Sequence, residues 1–199
     1  FKSHDPKFSF VAYDENGFVG NDKTFIITAQ DESISLKYLT AIFNSKLCKL
    51  WIWYNCPELL GGTREIRKVY FENFAIPACG NIEEFVSLTD EEITLHKELQ
   101  KQRNRFLHRI TENIPNIKIN SVIENFHLLD FEKFIIEINK QKIKLSLLQQ
   151  DEWEEYFNHY KEECSKLANA ITAADSKIDE LVYQLYNLTE EEIKVVENI

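Results

Sequence analysis

Residues 151–185 read DEWEEYFNHYKEECSKLANAITAADSKIDELVYQL, and the spacing of their apolar side chains decides what kind of fold the chain can adopt. Trp153, Phe157, Tyr160, Cys164, Leu167, Ile171, Ala174, Ile178, Leu181 and Leu185 recur alternately four and three residues apart, which places them on one stripe of an α-helix. Such a helix would extend about 50 Å at 1.5 Å per residue. A sustained heptad seam of this kind needs a partner helix to cover it. Thr89-Asp-Glu-Glu92 has the form of a capping box and predicts a helix from there to about Asn113, just ahead of Pro115, as the natural antiparallel partner. Asp130 is expected to cap a short helix through Asn139, and Thr189-Glu-Glu-Glu192 to open a last one. Lys97, Lys101, Arg105 and Arg109 share one face of the partner helix. The long helix carries Asp151, Glu152, Glu154, Glu155, Glu162 and Glu163, so pairing across the two helices is the expected use of those cations, ahead of DNA contact.

The first eighty residues follow another pattern. Phe8 to Tyr13 and Thr24 to Thr28 are rich in β-branched and aromatic residues and flank a turn at Asp14-Glu-Asn-Gly17, which predicts a hairpin. Ser35 is placed to cap a helix to about Tyr54, with Leu36, Leu39, Phe43, Leu47 and Leu50 at helical spacing. Pro57 and Gly61-Gly62 impose a loop, and a short strand is expected to end at Ile76-Pro77. The expected fold is therefore α+β: a compact α/β domain over residues 1–85, then a long antiparallel, coiled-coil-like helical spacer over 86–199.

Composition narrows the functional classes. Beginning at Phe1 without any methionine among its 199 residues, the sequence is expected to be a piece of a longer polypeptide. Cys48, Cys56, Cys79 and Cys164 form no CxxC pair, which argues against a zinc site or a secreted disulfide framework and favours a reducing cytoplasm. No apolar stretch approaches the roughly 20 residues of a membrane helix. The net charge of −10 weighs against simple electrostatic DNA binding, but it is unevenly spread: residues 1–80 hold nine Lys/Arg against nine Asp/Glu, and the remainder 14 against 24.

Catalytic motifs are missing. The sequence lacks a glycine-rich strand-to-helix turn and an Asn-Pro-Pro-aromatic loop, so no cofactor or catalytic residue is expected in this segment. Glu192-Ile-Lys194 and Asp175-Ser-Lys177 match an acidic-x-Lys fragment of magnesium nucleases, but neither follows a Pro-Asp pair and both fall in expected helix, so no metal site is assigned. The five histidines are read as surface or packed residues, and Trp51, Trp53 and Tyr54 as core rather than base-stacking aromatics. Gly61-Gly-Thr-Arg-Glu-Ile-Arg-Lys68 stands apart, joining two glycines to three cations. Arginine suits bidentate contact with guanine or phosphate, and glycine allows close backbone approach. Thr63, Arg64, Arg67 and Lys68 are the candidate DNA contacts, with Lys7 and Lys23 of the hairpin next.

Three stretches carry a resemblance: Phe8 to Thr28 with Gly17 and Lys23-Thr-Phe-Ile-Ile27; Tyr38-Leu-Thr-Ala-Ile-Phe-Asn-Ser-Lys46 with Tyr70-Phe-Glu-Asn-Phe-Ala-Ile-Pro77; and Asp175 to Ile193. In these the chain resembles the TaqI-like C-terminal specificity domain of type IIG-like restriction–modification enzymes and adenine-specific DNA methyltransferases, departing from the usual pattern at Phe43 and Asn187. The resemblance implies a target-recognition module for double-stranded DNA, joined to an upstream adenine-N6 methyltransferase domain that uses S-adenosylmethionine and, where a nuclease is fused, Mg2+. The alternative reading is a protein-interaction module docking a partner through its helical arm.

Overall fold

The structure, a computed structural model, describes residues 10–20, 24–30, 33–59 and 63–198. It is mostly helical, with a single two-stranded sheet among the described residues. In chain order the elements are α1 (Leu36–Asn44), α2 (Lys46–Asn55), β1 (Glu58–Leu59), β2 (Thr63–Arg64), α3 (Lys68–Phe71) and α4 (Ile82–Asn113). They continue with α5 (Ser121–Glu124), a 3-10 turn at Phe126–Leu128, α6 (Phe131–Lys140), α7 (Leu147–Leu185) and α8 (Glu190–Glu197). The chain divides into two compact units, residues 1–91 with 174–199 and residues 92–173.

In the first unit Tyr38, Ala41, Ile42, Phe43, Cys48, Ile52, Phe74, Phe85, Ile178 and Val182 form a buried core. Where one helix was expected from Ser35 to Tyr54, there are two, because Ser45 leaves helical geometry at ψ 154°. Its hydroxyl donates to the Ile42 carbonyl at 2.7 Å and accepts from the Cys48 N–H at 3.3 Å, so one buried side chain ends α1 and caps α2. The carboxylate of Asp179, on α7, accepts the Lys46 N–H at 2.8 Å and so takes a second N-terminal donor of α2. The Lys46 ammonium lies 3.7 Å from Asp179 and also pairs with Glu197 of α8, whose other oxygen accepts from the Tyr183 hydroxyl at 2.6 Å.

Of the hairpin expected over residues 8–28, residues 8, 9 and 21–23 lie outside the described residues, and the described ones form no strand. The Asp14 turn forms, with the Asn16 and Phe18 amides on its carboxylate and Gly17 at φ 75°, but no ladder flanks it among the described residues. Asn44 takes the ladder's place: its Oδ1 accepts the N–H groups of Phe10 and Val11 at 3.1 Å, and its Nδ2 donates to the Val11 carbonyl. The expected strand ending at Ile76-Pro77 is likewise irregular chain, held by the Tyr186 hydroxyl on the Ala75 carbonyl at 2.6 Å and the Tyr38 hydroxyl on the Pro77 carbonyl at 3.0 Å.

Helix α4 starts at Ile82, a full two turns before Thr89. Ile82, Phe85 and Leu88 give this early stretch an apolar face on the first core, and Thr89 is buried with its hydroxyl on the Phe85 and Lys37 carbonyls, so it caps nothing. Asp130 and Thr189 do cap α6 and α8, the latter with a complete capping box. Helix α7 begins earlier than Asp151, where Ser146 and Gln149 exchange hydrogen bonds in the reciprocal pattern of a capping box.

The second unit is built around Phe106, which lies against Phe126 at 3.8 Å between ring centroids and also meets Phe134, Trp153, Phe157 and Tyr160. Thus residues 92–113 of α4 and 147–173 of α7 do pack together, with α5 and α6 closing the core through Ile123, Phe134 and Ile138. Among the described residues no ion pair joins these two helices. Lys101 pairs with Glu98 and Arg109 with Glu112 inside α4, and Lys166 with Glu162 and Glu163 inside α7.

Burial pushes the Asp179 carboxyl up to about 6, against the lowering by the Lys46 N–H and ammonium. A carboxyl raised on folding stabilises the native state most below its ordinary pKa, and that contribution is lost as pH rises through the native value. Asp179→Asn, which keeps an acceptor for the Lys46 N–H, is therefore expected to gain stability relative to the parent between pH ~4 and ~6, by up to about 3 kcal/mol. Denaturant unfolding of both proteins across that range checks it; a difference independent of pH contradicts it.

Candidate nucleic-acid interface

The basic loop is set on a minimal hairpin. Strands β1 and β2 pair antiparallel with Glu58 opposite Arg64 and Leu59 opposite Thr63, and the Glu65 N–H closes the base on the Pro57 carbonyl at 3.0 Å. The connecting residues 60–62, with Gly61 and Gly62, lie outside the described residues, as do Lys7 and Lys23.

Arg64 is the anchor of this hairpin. Its side chain is only 13 % exposed, with Nε donating to the Trp53 carbonyl at 2.8 Å, Nη1 3.0 Å from the Glu58 carboxylate and the guanidinium 4.2 Å from the Trp53 ring centroid. These three contacts join α2, β1 and β2, so Arg64 has structural partners at Nε, at Nη1 and over the guanidinium plane. Cation–π contact and charge-assisted hydrogen bonds at a desolvated site are each worth about 0.5–3 kcal/mol.

Arg67 and Lys68 are placed differently. Ile66 packs on the first core, and so does Phe71, whose ring meets Phe43 and Phe10. Between these two anchors the chain turns outward into α3, leaving Arg67, Lys68, Val69 and Tyr70 exposed. Arg67 pairs with Glu65 at 2.6 Å, and its side chain is 60 % exposed. A surface pair of this kind is worth about 0–1 kcal/mol, so exchanging Glu65 for a phosphate costs little. Of the three aromatics at the end of α2, Trp51 is in the core against Phe74 and Trp53 supports Arg64, but Tyr54 is 74 % exposed. Tyr54 and Tyr70 are thus accessible aromatics that helical periodicity alone assigned to the interior or passed over.

Counting charge by compact unit changes the electrostatic picture. The first unit holds 11 Lys/Arg against 20 Asp/Glu, and the second 12 against 13. The acidic residues of 81–91 and 174–199 fold with the segment that is neutral when residues 1–80 are counted alone. A DNA contact from this unit must be local, made by cations that project from an acidic body. Among the described residues no three His, Cys, Asp or Glu side chains come together as metal ligands, and no helix is long and apolar enough to cross a membrane. Burial raises the thiols of Cys48 and Cys164, the latter to about 11, which makes both poor nucleophiles.

A family model described as a domain of unknown function (DUF8810) matches residues 80–182, and one described as a TaqI-like C-terminal specificity domain matches residues 3–76. No curated protein and no solved structure matches the chain.

The two kinds of cation separate on stability. Arg64→Ala is expected to cost about 1–3 kcal/mol, because it removes a largely buried group with three partners. Arg67→Ala and Lys68→Ala are expected to stay within about 0.5 kcal/mol of the parent. Thermal unfolding of the three variants checks this; equal losses for all three would contradict it.

Proposed function

The chain belongs to the DUF8810 family, with residues 3–76 matching a TaqI-like C-terminal specificity domain, and on that premise we propose that it is the duplex-DNA recognition module of a restriction–modification enzyme or adenine-N6 DNA methyltransferase. Methyl transfer with S-adenosylmethionine, and any Mg2+-dependent cleavage, belong to other parts of the parent polypeptide. The observation that carries the reading is the specificity-domain match, within which an anchored hairpin leads into an exposed cationic turn.

Each candidate has a role set by its environment. Arg67 and Lys68 sit on a stiff mount between two core anchors and set register on phosphates, a contact that positions the protein without reading sequence. Thr63, paired with Leu59 across the hairpin, offers its hydroxyl to base edges in the groove in this proposal. Arg64 shapes the hairpin that presents them. Lys7 and Lys23 are further phosphate contacts in this proposal. Tyr54 at the end of α2 and Tyr70 in α3 supply exposed rings.

Docking of a partner along the α7 seam is the weaker alternative, because the chain covers that seam itself: Phe157, Cys164, Ala174 and Ile178 are at most 4 % exposed.

Binding of a labelled duplex by the whole chain as a function of salt tests the proposal. Neutralising one phosphate contact lowers the slope of log K against log salt by about one unit. Arg67→Gln and Lys68→Gln are each expected to do so. Unchanged affinity and slope in both variants would contradict the placement of the interface.

A further inference from the structure

Residues 113–123 and 138–150 contain no Asp or Glu, in a chain where acids outnumber bases 33 to 23, and together they carry Lys118, Lys140, Lys142 and Lys144. The fold of the second unit brings the two segments side by side. The Gln141 side-chain amide accepts the Lys118 N–H at 2.8 Å and donates to the Lys118 carbonyl at 2.9 Å. This clamp fixes the main chain of Lys118 beside a residue flanked by Lys140 and Lys142.

The lysines are held on a shaped backbone. Helix α6 ends at Lys140, and Lys142 turns at φ 63° with its N–H on the Asn139 carbonyl at 2.9 Å. Ile117, Ile143 and Leu145 pack on the second core, while Lys118, Lys142 and Lys144, which alternate with them, are exposed. The carboxylate bordering this face, Glu137, is 9 % exposed and already used: it accepts from Lys140 at 2.7 Å and from Asn120 at 2.8 Å. Those hydrogen bonds hold it below the usual carboxylate range. Lys140 is accounted for by this pair and by its place at a helix C-terminus. Among the described residues, Lys118, Lys142 and Lys144 form no ion pair.

Three exposed lysines that form no ion pair among the described residues, on a ridge stiffened by core packing and a side-chain clamp, form an anion-binding surface. We propose that this lysine face of residues 92–173 contacts the phosphate backbone of duplex DNA and supplies sequence-independent attachment apart from the recognition loop. The proposal rests on the reading of the chain as a DNA-recognition module. It answers an electrostatic need of that reading, since the unit bearing the specificity domain carries an excess of acids, whereas the second unit is nearly neutral with its carboxylates excluded from one face. Lysine ammonium groups act as point charges without directional demand, which suits backbone attachment rather than base reading.

The test compares the whole chain with its Lys118→Gln, Lys142→Gln, Lys144→Gln triple variant on a labelled duplex of mixed sequence across a range of KCl concentrations. Each phosphate contact contributes about 0.9 to the slope of log K against log salt, so the triple variant is expected to lose about 2 to 3 units of slope with an unchanged thermal melt. An Arg67→Gln, Lys68→Gln variant run beside it reports on the recognition loop separately. If the parent binds duplex, the loop variant weakens it and the lysine variant keeps the parent slope, the lysine face is overturned while the recognition reading stands. If the parent binds no duplex at all, both fall. Phosphatidylserine-containing vesicles are the second probe, because Leu147 and Leu148 are exposed three and four residues beyond Lys144. Vesicle binding that depends on the three lysines, with DNA binding unaffected by their loss, would assign the face to an anionic membrane surface and overturn the proposal.

Discussion

The hydrogen bond from the Lys46 N–H to the buried Asp179 side chain, at the start of α2, is the contact on which the first unit depends. That side chain arrives from 133 residues further along the chain and accepts a backbone N–H that the interrupted helix would otherwise leave without an intrahelical partner. The interruption itself comes from Ser45, and the residue before it, Asn44, holds the N-terminal segment through Phe10 and Val11. Three consecutive side chains therefore join three regions: Asn44 the N-terminal segment, Ser45 the helix pair, Lys46 the C-terminal helices by way of Asp179 and Glu197. The hairpin that carries the basic loop then hangs from the end of α2 through Arg64 on Trp53. Loss of the junction would release the mount of the interface as well as the C-terminal closure.

Elements governed by local rules were legible in the sequence. The four-three alternation from Trp153 to Leu185 is a helix, and Asp130 and Thr189 cap as their side chains and spacing require. The failures share a cause, which is a distant partner overriding a local pattern. Phe8 to Tyr13 has strand composition, yet Phe10 and Val11 bond to a side-chain amide more than thirty residues away. Thr89-Asp-Glu-Glu92 has the capping pattern, yet the apolar residues before it found a core and the helix grew backwards through it. Ser35 to Tyr54 has continuous helical spacing, and nothing nearby signals that Asp179 will stabilise a break at Ser45.

The candidate interface was legible as a composition and not as a set of roles. Thr63, Arg64, Arg67 and Lys68 look alike as polar loop residues, but cross-strand pairing with Glu58 and stacking on Trp53 take Arg64 inward, while the anchors Ile66 and Phe71 turn Arg67 and Lys68 outward. The charge map has the same character. Counting along the chain makes the first eighty residues neutral, whereas folding returns 174–199 to them and gives that body its acid excess. In the proposed role, attachment to a polyanion falls to local cations: the turn at Arg67 and Lys68, and the lysine face of the second unit.

Because Lys46 and Asp179 belong to one unit, a recognition body must be moved with both of its chain segments. The most direct measurement replaces residues 1–91 and 174–199 of a related parent methyltransferase by those of this chain and maps the methylated adenines in DNA exposed to the hybrid. Methylation at a new sequence context, lost when residues 92–173 alone are exchanged, is the predicted result. A folded, active hybrid that methylates only the host's original sequence would contradict the assignment of sequence recognition to this unit.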